Sequence, residues 1–159
     1  MRVGDDRGVS LMEILMVVVA VAVMAGMAMP SLLGTMERYR LRAAAWELAG
    51  DLRLARQKAV SLQQSHRICL ANCCSAVPAG GYLLERRDTG DPCGWKQDLT
   101  RSDLPNGLTV TWTGDKVSYD AKGEAVLGST VTLTNSVGTY DVVAAPSGRV
   151  RACKGVCPP

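Results

Sequence analysis

Sixteen consecutive residues without a charge, Ile14 to Met29, constrain this chain more than anything else in it, and one carboxylate, Glu13, stands at their entrance. As a helix, Val9–Met29 measures about 30 Å at ~1.5 Å per residue, enough to cross the hydrocarbon core of a bilayer. Its apolar side chains surround the axis rather than forming a stripe, which excludes a soluble amphipathic helix. Beyond Pro30 the composition is ordinary. Residues 31–159 carry 16 Lys/Arg against 12 Asp/Glu, an excess too small to mark a nucleic-acid binder by itself. A single histidine, His66, and the lack of a glycine-rich phosphate loop argue against the common catalytic schemes. The chain reads as a non-enzyme, with no catalytic residue, no cofactor and no small-molecule substrate.

Three readings of the N-terminus compete. A secretory signal would be cut after the apolar run, but the small-residue pattern Ala20-Val21-Ala22 lies inside it, and Glu13 is misplaced for such a signal. A plain membrane anchor leaves the carboxylate without a purpose, although burying it in hydrocarbon costs about 2.5–3.5 kcal/mol on insertion scales. The third reading uses each of these features. Arg7-Gly8-Val9-Ser10-Leu11-Met12-Glu13 resembles the prepilin peptidase site of type IV pilins and type II secretion pseudopilins.

That resemblance implies a leader over residues 1–8, cleavage between Gly8 and Val9, and methylation of the new amino terminus. Val9 departs from the usual Phe at this place. Residues 9–30 become a helix that spans the bacterial inner membrane and later lies in a filament core. Pro30 matches the helix-bending proline of many pilins. Glu13 is implied to pair with the N-terminal amine of a subunit. In low dielectric a mispaired subunit leaves both charges bare, so the pair sets register.

Residues 31–65 read as a periplasmic amphipathic helix. Leu41, Ala45, Leu48, Leu52, Ala55, Ala59 and Leu62 recur at spacings of four and three, which puts an apolar seam on one face. Arg40, Arg42, Glu47, Asp51, Arg53, Gln57 and Lys58 fall mostly on the others. The alanines and short length disfavour a coiled coil.

After Ser65 the period changes to that of strands. Strand-forming segments are expected at 67–70, 81–86, 108–113, 116–120, 130–135, 139–144 and 149–153, with hairpin turns at Thr113–Lys116 and Ser136–Gly138. The fold class is α+β. A long N-terminal helix, membrane-spanning in its first half, packs by its second half on a small antiparallel β-sheet domain made from residues 66–159. This order resembles the H-type pseudopilin and FimT group of the pilin superfamily. The likeness is carried by residues 7–30, by Leu52-Arg53-Leu54-Ala55-Arg56-Gln57-Lys58-Ala59-Val60 and by Pro146-Ser147-Gly148-Arg149-Val150-Arg151.

Six cysteines in an exported chain point to disulfides, and six allow fifteen connectivities. Cys153 and Cys157 are expected to close a small C-terminal loop, leaving two bridges among Cys69, Cys73, Cys74 and Cys93. Adjacent Cys73 and Cys74 are poorly placed to pair with each other. Their spacings do not suit a metal, so no metal site is expected.

Arg149 and Arg151, two apart on a strand, leave the same face, with Lys154 just beyond and no acid after Asp141. Forked guanidiniums fit phosphate geometry. In the FimT branch a Gly-Arg-x-Arg motif is associated with DNA uptake, and Gly148, Arg149 and Arg151 match it. The alternative is an ordinary solvated or salt-bridged edge strand.

The resemblance therefore implies a minor pilin or pseudopilin of a type IV pilus or type II secretion system. Its partners are the prepilin peptidase, the inner membrane, other minor subunits and the major subunit. The rivals are a subunit that binds double-stranded DNA, and an anchored periplasmic enzyme for which no nucleophile–base pair can be named.

Overall fold

One helix, α1 (Leu11–Ser61), forms the N-terminal third of the chain. A computed structural model describes residues 10–70, 73–77, 81–101, 104, 107–113, 116–126 and 128–157, with only the backbone at 28–33. The leader and the Gly8–Val9 site lie outside the described residues, as does the side chain of Pro30, through which α1 continues. The chain divides into two units, residues 1–36 and 37–159. In the first unit the described apolar side chains are exposed, from Leu11 (80%) to Met27 (77%). Among the described residues, no helix is long and apolar enough to cross a membrane.

In the second unit α1 buries Leu41, Ala45, Leu48, Leu52, Ala55 and Ala59, joined by Ala44 and Ala49. Leu62, expected to continue this seam, is exposed because the helix stops first. Gln63 takes a left-handed conformation (φ 51°), and the Gln64 N–H reaches back to the Ala59 carbonyl at 3.1 Å. This is a Schellman-type stop with glutamine where glycine is usual. Asp51, placed by pattern on an outer face, is buried. It accepts hydrogen bonds from Tyr82 Oη at 2.7 Å and Arg101 Nε at 2.9 Å, which repays the desolvation of its charge.

Eight strands follow: β1 (His66–Cys69), β2 (Tyr82–Arg87), β3 (Trp95–Arg101), β4 (Thr109–Trp112), β5 (Lys116–Tyr119), β6 (Ser129–Asn135), β7 (Gly138–Ala144) and β8 (Val150–Lys154). They form two antiparallel four-stranded sheets rather than the single sheet expected, in the orders β3-β2-β1-β5 and β4-β6-β7-β8. The expected hairpin at Thr113–Lys116 is a crossover, since β4 pairs with β6 and β5 with β1. Local turn chemistry lost to side-chain burial: Val117 and Tyr119 need the apolar core beside Ile68. The β6–β7 hairpin forms where expected, its turn held by Asn135 Oδ1, which accepts the N–H groups of Val137 and Gly138.

Strand β3 was not expected. Its residues, Trp-Lys-Gln-Asp-Leu-Thr-Arg, lack apolar alternation, and pairing with β2 brings them into the sheet despite their polarity. The core is one cluster built from the α1 seam, from Ile68, Tyr82, Leu84, Val117 and Tyr119 of the first sheet, and from Val131, Leu133, Val142, Ala144 and Val150 of the second.

Candidate functional site

The Gly-Arg-Val-Arg segment begins in a tight turn. The Gly148 N–H bonds the Ala145 carbonyl, and the Ala145 N–H bonds the Arg149 carbonyl, so the turn closes the strand pair β7–β8. Gly148 has φ +77°, a conformation that side chains resist. A Cβ there would also overlap the Gly123 carbonyl oxygen and lie 2.6 Å from Arg56 Nε. The glycine of the motif is therefore required by packing.

Its neighbour Arg56 comes from α1. Arg56 Nε donates to the Gly123 carbonyl at 2.9 Å and Nη2 to the Ser147 carbonyl at 3.4 Å, while Arg53 Nη2 reaches the Val150 carbonyl at 3.4 Å. Two of the three sequence segments that carry the family likeness, 52–60 and 146–151, thus meet in space. Arg56 and Gly123 have no sequence signal of their own beyond Arg56 lying in the first of those segments.

Past the turn, Arg149 is exposed and Arg151 half-buried. Both line one open cleft of about 460 Å³, with Thr130, Val143, Ser147 and Cys157. Thr130, Val143 and Arg151 are register partners across β6, β7 and β8, so they form a row on one face. Among the described residues neither arginine's guanidinium makes a hydrogen bond or ion pair. Asp141 opposes Cys153 rather than Arg151, and it accepts the Thr132 hydroxyl at 2.8 Å. Lys154 is exposed at the end of β8, outside the cleft lining.

The cysteines close three bridges: Cys69–Cys73, Cys74–Cys93 and Cys153–Cys157. The first two accompany a buried charge on the first sheet. Arg67 and Glu85 are register partners joined at 2.6 Å, with side chains 7% and 0% exposed. The Arg67 guanidinium lies 4.0 Å from the Trp95 ring centre and 3.2 Å from Cys74 Sγ. At the other end of the chain, Glu13 sits exposed in the first turn of α1, where the helix dipole favours a carboxylate.

A long N-terminal helix whose second half packs into two small antiparallel sheets is the pilin-like fold. The type IV minor pilin FimU of Pseudomonas aeruginosa has it at 21% identity and a TM-score of 0.58, over 72% of this chain and 89% of that one. The minor pseudopilin EpsH from the Type 2 Secretion System of Vibrio cholerae has it at 14% identity and a TM-score of 0.58, over 72% of this chain and 97% of that one. Residues 44–148 match the family described as Type II transport protein GspH, and the chain belongs to that family. No curated protein matches it.

Proposed function

We propose that this chain is a minor pilin or pseudopilin subunit, cut after Gly8, methylated at Val9 and held in the inner membrane by residues 9–30 until it enters a filament. Its head faces the periplasm and meets neighbouring minor subunits. The family match over the head carries this reading. The apolar side chains of α1 from Leu11 to Met27 support it, since none is buried by the chain itself. Lipid first, and other subunits afterwards, cover them. Glu13 pairs with a subunit's amine, and Pro30 bends the helix.

Mass spectrometry of the N-terminal peptide from cells tests the processing. The expected start is methylated Val9, and an intact Met1 or a start near Ala22 overturns it. Glu13→Ala should still be inserted and cleaved, because removing a charge eases insertion, but should co-purify poorly with the other minor subunits. Secretion genes or pilus and competence genes beside its own gene distinguish the two machines.

A second reading is favoured by one observation: Arg149 and Arg151 share a cleft and have no acid partner among the described residues. On this reading the subunit binds double-stranded DNA through phosphates, without sequence preference, for uptake. Two or three contacts give a log–log salt slope of roughly −2 to −3, which Arg149→Gln with Arg151→Gln should flatten. An absence of any mobility shift at about 50 mM salt, where phosphate-led binding is strong, overturns it.

A further inference from the structure

The cleft has one wall that depends on a covalent tie. After Lys154 the chain leaves β8, and among the described residues its last backbone hydrogen bond runs from the Gly155 N–H to the Thr139 carbonyl at 2.9 Å. Val156 then stands 88% exposed, and Cys157 returns to line the same cleft as Arg149 and Arg151. Its Sγ lies 3.6 Å from the Asp141 carbonyl oxygen, a contact too weak to hold a chain end alone. What fixes residue 157 is the bond to Cys153, two residues beyond Arg151 on β8.

This bridge spans four residues, against nineteen for Cys74–Cys93, so it removes less entropy from the unfolded chain. Its larger effect is local.

We propose that the Cys153–Cys157 bridge is a positioning element of an anion site, holding Cys157 in the wall so that a phosphate group meets Arg149 and Arg151 in a preformed cleft. The proposal rests on the DNA reading of the two arginines and adds the part that shapes their site. Without the bridge the wall is free to move, and a ligand must order it on binding, which weakens affinity. The cysteines carry no charge, so their loss leaves the number of released counterions unchanged. The bridge should thus shift a plot of log affinity against log salt without tilting it, whereas the arginines tilt it.

The experiment uses the full chain in detergent micelles and a fluorescein-labelled DNA duplex of mixed sequence, read by anisotropy over a salt series. Cys153→Ser with Cys157→Ser is compared with the wild type and with Arg149→Gln/Arg151→Gln, and a thermal melt of each checks the fold. The expected result for the serine pair is affinity about threefold to tenfold weaker at every salt concentration, with a parallel slope. Cys153→Ala with Cys157→Ala repeats the comparison should the serine pair fail to fold. Affinity within twofold of wild type in a folded bridge variant overturns the proposal and leaves the DNA reading standing. A slope flattened as in the arginine variant also overturns it. A wild type that binds no duplex while melting normally removes the DNA reading, and this proposal with it.

Discussion

Both sheets carry strand arginines beside a disulfide, and the sheets treat them in opposite ways. On the first, Arg67 is buried, paired with Glu85, stacked near Trp95 and in contact with Cys74. On the second, Arg149 and Arg151 line an open cleft, while the acid of that face, Asp141, is taken up by Thr132. A neutralised, desolvated guanidinium is part of the architecture, because water and ligands cannot reach it. Cations left bare beside a concavity are available to something outside the chain. Between Arg67 and Arg151, the same side chain in the same kind of element is structural or available according to whether an acid shares its register.

The comparison can be broken most forcefully at Glu85. Glu85→Ala leaves Arg67 buried and unpaired, and thermal or denaturant melting of the full chain should show a loss of about 3–5 kcal/mol. A loss as small as that of a surface substitution would mean that the two sheets do not differ in this way. Next in size is Gly148→Ala, which adds left-handed strain and a backbone overlap with Gly123 and should cost about 3 kcal/mol in the same melt.

Alkali sharpens the contrast, because it acts on tyrosines of the first sheet. Burial pushes Tyr119 up to about 12, and burial with the Asp51 hydrogen bond raises Tyr82 further. Both are neutral in the folded chain above the pH at which the unfolded chain ionises, near 10. Stability is therefore complete below pH 10 and falls as pH rises towards 12, by about 2 kcal/mol for Tyr119 alone. A flat pH–stability profile from 9 to 12 overturns this. The smallest effect belongs to the second sheet. Arg149→Gln with Arg151→Gln should change stability by no more than about 0.5 kcal/mol. A larger loss would make these arginines structural, like Arg67.

The helix seam was legible because burial on one face leaves a 3.6-residue period, and Leu41 to Ala59 keep it. Its end was not, because Gln63 adopts a glycine-like conformation that composition does not announce. Strands with β-branched alternation, such as β6, could be read directly, whereas β3 draws its structure from its pairing with β2. The division into two sheets was hidden for a similar reason: it depends on which distant strands β4 and β5 join. At the cleft, the two arginines could be read as a motif. The position of Cys157 and the grip of Arg56 on the turn are contacts between segments far apart in sequence.

That grip bears on how the chain matures. Arg53 and Arg56 stand on the first element of the head, yet the carbonyls they hold at Gly123, Ser147 and Val150 lie 67, 91 and 97 residues further along. Closing loops of that length costs entropy before any contact rewards it, so such contacts form late and slowly. In a chain synthesised from its N-terminus, the helix emerges long before its partners. Its arginines remain hydrated until the segments that carry those carbonyls have been made. The earliest part of the head to be made is thus among the last to be finished.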